Sequence, residues 1–457
     1  MSSTREGTPD RATGPRRSKV AILIAAVIIL LPGLIAFVLY SHHRRSERPS
    51  ADPNVAEGGH QALAADQRLA LDGDLNQAVE NYQKIVASYP QDYRAFDDLG
   101  AVYARLGEYN KALEVTRQAL NLAPNELAPY EHLGHYYTAI QHPDDGHQVI
   151  RDAQAKRMDS PAFHQVLYAQ AFLAQTGADK PAMSDQIRWF AQRPEYESYG
   201  LALAAGTAAY GGHVAKSLDL TNRAVEAAIA ANDKDAAGMW QESQALRSAA
   251  FGNAADAQKQ AEAGLKLAPG NPEAVAEGAL ALAIIGDTSR AAALAQDLSK
   301  RRPHDTQMQS VWLPTIHAQM ALQKKNAREA LDDLAPALPL ELGATTYGPN
   351  PTCMYSAYLR GQAYLADQKG AAAATEFQKI LDHSGVVWNC WTGALAHLGL
   401  ARANALLMQD VDGQEDVDEA RLQAIMAYKD FLKLWKEGDP ETPILQQAKE
   451  ELAQIQQ

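Results

Sequence analysis

An all-α solenoid of about ten stacked helix pairs is the fold class this sequence predicts, and three observations predict it. Leu99-Gly100-x-x-Tyr103 returns 34 residues later as Leu133-Gly134-x-x-Tyr137, and the same interval separates Ala78 from Ala112 and Pro90 from Pro124. From His60 onward, helical periodicity alternates with Gly, Pro or Asn-Pro punctuation about every 15 to 20 residues. Hydrophobic residues make up 46% of the chain but aromatics only 7%, and alanine runs recur, which suits helices packed closely through small side chains. Each unit needs Gly or Ala where its two antiparallel helices cross and a large residue where the next unit docks. A single unit cannot bury its apolar face, so the units must stack.

This period and signature resemble the tetratricopeptide repeat, so the chain is read as a tetratricopeptide α-solenoid with one N-terminal transmembrane helix. Residues 1–19 are polar and basic, too poor in apolar side chains to fold, and are expected to form a disordered tail. Val20 to Tyr40 are 21 positions without a charge, enough at about 1.5 Å per residue to cross a hydrocarbon core of about 30 Å. The run is too long for the core of a cleaved signal peptide and has no small-residue cleavage site, so it is expected to remain as an anchor. Pro32-Gly33 marks an expected kink within it.

Arg5, Arg11, Arg16, Arg17 and Lys19 precede the span, while Arg44, Arg45 and Arg48 follow it. The balance favours a cytoplasmic N-terminus in the inner membrane and an extracytoplasmic solenoid, periplasmic in a Gram-negative cell. Residues 41–59 read as a linker. Once the basic residues around the span and Glu6, Asp10 and Glu47 are set aside, the remaining chain carries a charge of about −18. Such a surface repels phosphates, which argues against nucleic acid as a partner.

The solenoid is expected over residues 60–442. Its first pair carries Ala78 and Tyr82 on the second helix and stops at Pro90; its second fits the repeat signature from Tyr93 to Pro124, with Phe96 in place of the opening Trp. The third keeps Leu133-Gly134 but has Gly146 where Ala is usual, and Asp159-Ser160-Pro161 caps the start of the fourth. The fourth to sixth, Phe163 to Gln192, Ser198 to Ala231 and Ala236 to Pro269, keep helical spacing while their signature residues fade. Gly286, Ala291 and Ala295 recover the register in the seventh; Trp312-Leu313-Pro314 and Ala330 mark the eighth, Gly361, Tyr364 and Phe377 the ninth, and Leu398-Gly399, Tyr428 and Phe431 the tenth. An acidic insertion, Gln409 to Glu419, is expected to lengthen the loop of that last pair. Residues 443–457 are predicted to form a capping helix with Ile444, Leu445, Ala448, Leu452 and Ile455 on one face.

Arg302-Pro303-His304-Asp305-Thr306, Trp312-Leu313-Pro314-Thr315-Ile316 and Arg360-Gly361-Gln362-Ala363-Tyr364-Leu365 carry a second, more specific resemblance. With Phe377-Gln378-Lys379-Ile380-Leu381-Asp382-His383 and the run from Gly393 to Ala403, they resemble the C-terminal repeat region of bacterial membrane-spanning serine/threonine protein kinases and of related winged-helix regulators. In those kinases a catalytic domain precedes the span and the repeats follow it as a sensor or docking array. Here only about 19 residues precede the span, and no Gly-rich loop, His-Arg-Asp or Asp-Phe-Gly occurs in the sequence. The resemblance therefore implies the receptor half without its kinase: a non-catalytic scaffold for proteins or peptides, with a sensor acting through a separate kinase or transcription regulator as the alternative.

No catalytic, cofactor-binding or metal site is assigned. Glu131, His132, His135, His142, Asp144, Asp145 and His147 are the densest polar cluster, but no His-Glu-x-x-His or paired-Cys spacing fixes a metal there. No Gly-x-Ser-x-Gly elbow is present, and Cys353 and Cys390 have no patterned His partner. Those two cysteines are 37 residues apart, close to one repeat, so equivalent faces permit either a disulfide or two free thiols.

The first helix of each pair lines the concave face, which makes Arg94, Asp97, Glu131 and His135 candidate partner-binding residues. Trp312, Tyr355 and Tyr358 occupy equivalent first-helix positions farther along, with Tyr347, Trp388 and Trp391 in nearby loops. Aromatics of this kind either anchor an interface or pack between neighbouring repeats. The Lys and Asn side chains that clamp a C-terminal carboxylate in some tetratricopeptide domains are missing.

Overall fold

The computed structural model describes residues 73–344, 352–410 and 414–457. The expected basic tail, the span at residues 20–40, the linker, the first helix of the first pair and Tyr347 lie outside the described residues. Among the described residues there are 21 helices and no strand, and none of the helices is long and apolar enough to cross a membrane.

Helix α1 (Leu75–Ser88) is the second helix of the first pair. Complete pairs follow: α2 (Tyr93–Arg105) with α3 (Tyr109–Leu122), α4 (Ala128–Ala139) with α5 (Pro143–Ala155), and α6 (Pro161–Phe172) with α7 (Lys180–Ala191). The middle of the array is α8 (Glu197–Tyr210) with α9 (Val214–Ala230), α10 (Lys234–Ala250) with α11 (Ala254–Leu267), and α12 (Pro272–Ile284) with α13 (Thr288–Arg301). It ends with α14 (Leu313–Gln323) and α15 (Ala327–Leu334), α16 (Tyr355–Ala366) and α17 (Gly370–Asp382), the one-turn α18 (Ser384–Val387), α19 (Trp391–Asp410) and α20 (Gln414–Leu434), and α21 (Pro443–Ile455). Short acid, amide or hydroxyl side chains start many of these helices by accepting a backbone N–H: Asp74, Asp92, Ser160, Asp179, Asp233, Asn271, Asp287 and Asn326 all do so.

The small residues of the repeat signature sit where helices cross. A side chain on Gly100 would strike the Thr116 hydroxyl on the facing helix. The glycine at position 146 also has a cause, because a Cβ there would lie 2.7 Å from Gln170 Nε2, which donates to Thr138 Oγ1 at 3.0 Å. Before α14 the chain makes a π-turn, Met308–Trp312. Pro314 has no N–H to give to the preceding turn, and the wider turn accommodates that loss. The acidic insertion departs from expectation. Rather than lengthening a loop, it extends the flanking helices, so that α19 and α20 run to 20 and 21 residues. Their good helix formers, among them Gln, Glu and Ala, outweigh the turn tendency of the Asp residues.

The array folds back on itself through contacts spaced in register. Thr306 N–H donates to Gly73 O at 2.8 Å, and Leu75 N–H donates to Thr306 Oγ1 at 3.1 Å. At the α2–α3 turn, Ala344 N–H donates to Ala104 O at 2.9 Å and Gln307 Nε2 donates to Arg105 O at 3.0 Å. At the α4–α5 turn, Gln141 donates to Asp382 O and Gly385 lies against Thr138 O. At the α8–α9 turn, Trp435 Nε1 donates to Tyr210 O at 3.0 Å and Asp439 N–H to Gly212 O at 2.9 Å. Pro443 packs against Gly252 at the α10–α11 turn. Successive turns of the first half thus meet successive points of the second half in the same order.

Folding back buries whole helices. From Pro272 to Ala283 every residue of α12 is buried, five of them alanines, and α10 is enclosed from Ala236 to Ala249 except at Ser243. A helix enclosed on all sides has no polar face, which explains the loss of amphipathic signature in these repeats. At the end of the chain, α21 covers the last pair. Leu445 and Ala448 are buried, Arg402 holds Glu451 through two bonds of 2.9 Å, and Tyr428 donates to Glu451 at 2.9 Å.

Candidate functional site

The expected partner-binding residues fall into two groups. Arg94 and Asp97 lie on α2, Glu131 and His135 on α4. Arg94 is half-buried, with its Nε 3.2 Å from Asp92 and its guanidinium 5.7 Å from the centre of the Tyr93 ring. Asp97 is only 5% exposed and pairs with His132 Nδ1 at 2.9 Å, tying α2 to α4. Burial works to strip His132 of its proton, but the Asp97 carboxylate outweighs it and raises the imidazole to about 9. Burial raises the Glu131 carboxyl, which a Ser160 hydrogen bond partly offsets. His135 is held neutral, lowered to about 4 by burial and by the neighbouring His132 charge. Its ring lies 5.7 Å from that of Trp388. His132 and His135 therefore turn to different partners, and His142 pairs with Asp145 at 3.2 Å.

Trp312, Tyr355 and Tyr358 form one aromatic row inside the array. Ring centres are 5.8 Å apart for Trp312 and Tyr355, 5.7 Å for Tyr355 and Trp391, and 5.1 Å for Tyr358 and Trp391. All three are partly buried and pack against the core of the array.

The segment from α18 to α19 joins the two groups. Trp388 is buried among Tyr130, Ile150, Phe163 and Val166 of the first half, with φ at +52° and its indole N–H on Gly385 O at 2.8 Å. Asn389 donates to Leu203 O at 2.8 Å and to Thr207 Oγ1 at 2.9 Å. Cys390 is disulfide-bonded to Cys353, with Cα atoms 5.6 Å apart, and Trp391 completes the aromatic row. Much of the concave face is thus covered by the chain itself. The signal that points to this segment is its composition: Val386-Val387-Trp388 is too apolar for an exposed loop.

Behind this segment lies a cavity of about 50 Å³ whose wall includes Tyr199, Trp240, Arg247, Glu277, Tyr355 and Trp391, closed on one side by the disulfide. Glu277, on α12, accepts from Ser243 Oγ at 3.0 Å and from Tyr355 OH at 3.1 Å. Arg247, on α10, donates from Nε to Ser243 O at 3.0 Å and from Nη1 to Ser217 Oγ at 3.1 Å. Burial pushes the Glu277 carboxyl up to about 7 against the pull of its two hydrogen bonds, and lowers Arg247 to about 10. Glu242, beside Ser243 on α10, is fully buried in a notch made by Gly264 and Gly278. Neither of its oxygens has a well-formed hydrogen bond, and burial followed by the Glu277 charge raises it well above the usual carboxylate range. Sequence reasoning missed Glu242, Arg247 and Glu277, because in an isolated helix pair a charged residue reads as surface.

No family model matches the chain. A stretch of 62 residues is 36% identical to the Protein CTR9 homolog of Arabidopsis thaliana, covering 14% of this chain and 6% of that protein, so the chain spans a small fraction of that relative's length. Among solved structures, yeast Tom70 covers 88% of this chain and 96% of its own at 12% identity and a TM-score of 0.36. The TPR domain of P58(IPK) covers 87% and 97% at 16% identity and a TM-score of 0.25. A tetratricopeptide repeat protein from Parabacteroides merdae covers 76% and 99% at 14% identity and a TM-score of 0.25. With scores this low the likenesses carry no argument. The helix-repeat fold of this chain rests on its own 34-residue period and on the pairing of its helices.

Proposed function

We propose that this protein is a membrane-anchored, non-catalytic helix-repeat scaffold that binds protein or peptide partners on the rim of its concave face. The anchor is residues 20–40, with the N-terminus in the cytoplasm and the repeats across the inner membrane. The observation that carries the reading is that Arg94 and Ala101 on α2 and Glu131 and His132 on α4 are only partly buried. These positions are on first helices, the elements from which stacked helix pairs present side chains to an extended partner.

Photo-crosslinking amino acids at Arg94 and Ala101 test it, with the exposed Lys111 on α3 as the outer-face control. In native membranes the two inner positions are expected to capture a common protein that Lys111 does not. Capture of nothing, or equal capture from Lys111, overturns the reading.

The cavity supports a second reading, a ligand sensor that acts through a separate kinase or transcription regulator. Its polar, aromatic wall is more than a packing core requires.

A further inference from the structure

The last helix pair leaves one side of α20 uncovered. Ala420, Ala424, Ala427, Tyr428 and Phe431 turn its inner side to the core. Helix α21 takes an adjoining side, where Arg421 Nε donates to Ile455 O at 2.8 Å and Tyr428 donates to Glu451 at 2.9 Å. Opposite the core run Glu419, Leu422, Met426, Lys429 and Lys433, all exposed, at the alternating three- and four-residue spacing that keeps one seam of a helix facing one partner. Leu422 and Met426 are 58% and 57% exposed and one turn apart. The other exposed large apolar side chains among the described residues, Leu122, Ile229 and Leu338, stand singly on separate elements at 36 to 47%.

The charges on this seam have an order. Glu419 precedes the apolar pair, and Lys429 and Lys433 follow it. The helix dipole accounts for an acid near the start and bases near the end, but not for a leucine and a methionine in water between them. Run against its own reverse, the seam matches itself. With two copies of α20 antiparallel and centred at the level of Ala424, Leu422 of each meets Met426 of the other, and Glu419 of each meets Lys429 of the other. A parallel pair would instead set Glu419 on Glu419 and Lys429 on Lys429. A two-fold contact requires a surface complementary to itself, and the antiparallel order supplies it.

From exposure, spacing and charge order we propose that α20 is the contact through which two copies of this chain pair, antiparallel, about a two-fold axis at the level of Ala424. One helix against one helix buries less than the about 1,200 Å² of a standard interface, so the pair is weak, with a Kd of about 10 to 100 µM. The pairing goes beyond the scaffold reading and does not depend on what either concave face binds.

The test uses the purified full chain in detergent micelles at about 100 µM and a short bismaleimide. Exposed Gln423 lies on the flank of the seam beside the proposed axis, so Gln423→Cys is expected to give a covalent dimer. Asp430→Cys is on the same flank but past Ala424, which sets its two copies about 18 Å apart along an antiparallel pair, and it is expected to give none. In the Gln423→Cys background, Glu419→Lys and Lys429→Glu each turn two attractive pairs repulsive and are expected to cut the dimer yield about tenfold. An equimolar mixture of those two chains is expected to restore it, because every lysine at these positions then meets a glutamate. The substituted side chains are all exposed, so each variant keeps its fold. No dimer from Gln423→Cys, equal dimer from Asp430→Cys, a yield unmoved by the single reversals, or a mixture that stays monomeric overturns the proposal. Only this chain is present, so failure here leaves the crosslinking test of the scaffold untouched.

Discussion

Replacing Glu277 with Gln should change how stability depends on pH, and the size of the change follows from the enclosure of that carboxyl. Its folded-state pKa is about 7 against an ordinary 4.5. Between those values the native chain holds a proton that the unfolded chain has lost, so this group's contribution is full on the acid side and is lost as pH rises to about 7. At about 1.4 kcal/mol per pH unit the loss amounts to about 3 kcal/mol. For the 375 described residues the unfolding entropy is about 0.8 kcal/mol/K, which converts the loss to about 4 °C in Tm. The substituted amide retains a carbonyl for Tyr355 or Ser243 and cannot ionise. Thermal unfolding of both chains, followed by circular dichroism at pH 5 and pH 8, should show the wild-type midpoint falling about 4 °C more than that of Glu277→Gln. His135, which burial lowers to about 4, works in the opposite sense by losing stability as pH falls from about 6.5, but it is common to both chains and cancels. Coincident pH profiles would refute the account of Glu277 as a buried, proton-holding group.

Three further outcomes follow from particular contacts. The disulfide closes a loop of 37 residues, so Cys390→Ser with Cys353→Ser, or reduction with dithiothreitol, should cost about 4 kcal/mol; equal thermal midpoints for oxidised and reduced protein would contradict this. Gly212 has φ at +76° and its Cβ position is 2.6 Å from the Trp435 ring, so Gly212→Val should destabilise by about 2 to 4 kcal/mol and shift tryptophan emission to the red. Arg360 bridges Glu341 at 2.8 Å and Glu376 at 2.6 Å while 3% exposed, so Arg360→Met should cost about 3 to 5 kcal/mol at pH 8. Acid should restore part of that loss by protonating the stranded carboxylates, and a loss independent of pH would count against the buried bridge.

The repeats were legible because their cause is local. A crossing of two helices demands Gly or Ala at a fixed place, as at Gly100 and Ala112, and that demand leaves a period in the sequence. The return of the second half onto the first left almost none. Many of its acceptors are main-chain carbonyls of turns, such as Ala104 O and Tyr210 O, which any residue supplies. Glycines at the closest approaches, among them Gly73, Gly212, Gly343 and Gly385, and the apolar run Val386-Val387-Trp388 were its few marks. The aromatic residues Trp312, Tyr355 and Tyr358 were legible as equivalent positions, but whether such a row meets a partner or its own chain depends on that return. Glu242 and Glu277 were illegible because burial of an acid is decided by helices more than 20 residues away.

The pinning of Gly73 to Thr306 has a mechanical consequence. In an open row of repeats a pull on the leading end would peel units away one after another, each yielding at the strength of a single neighbour contact. Here a pull arriving from before Gly73 divides at once between the first pair and the entry to the eighth. Strain at Gly73 is therefore also delivered to Thr306, 233 positions farther along the chain, and the repeats between them share it.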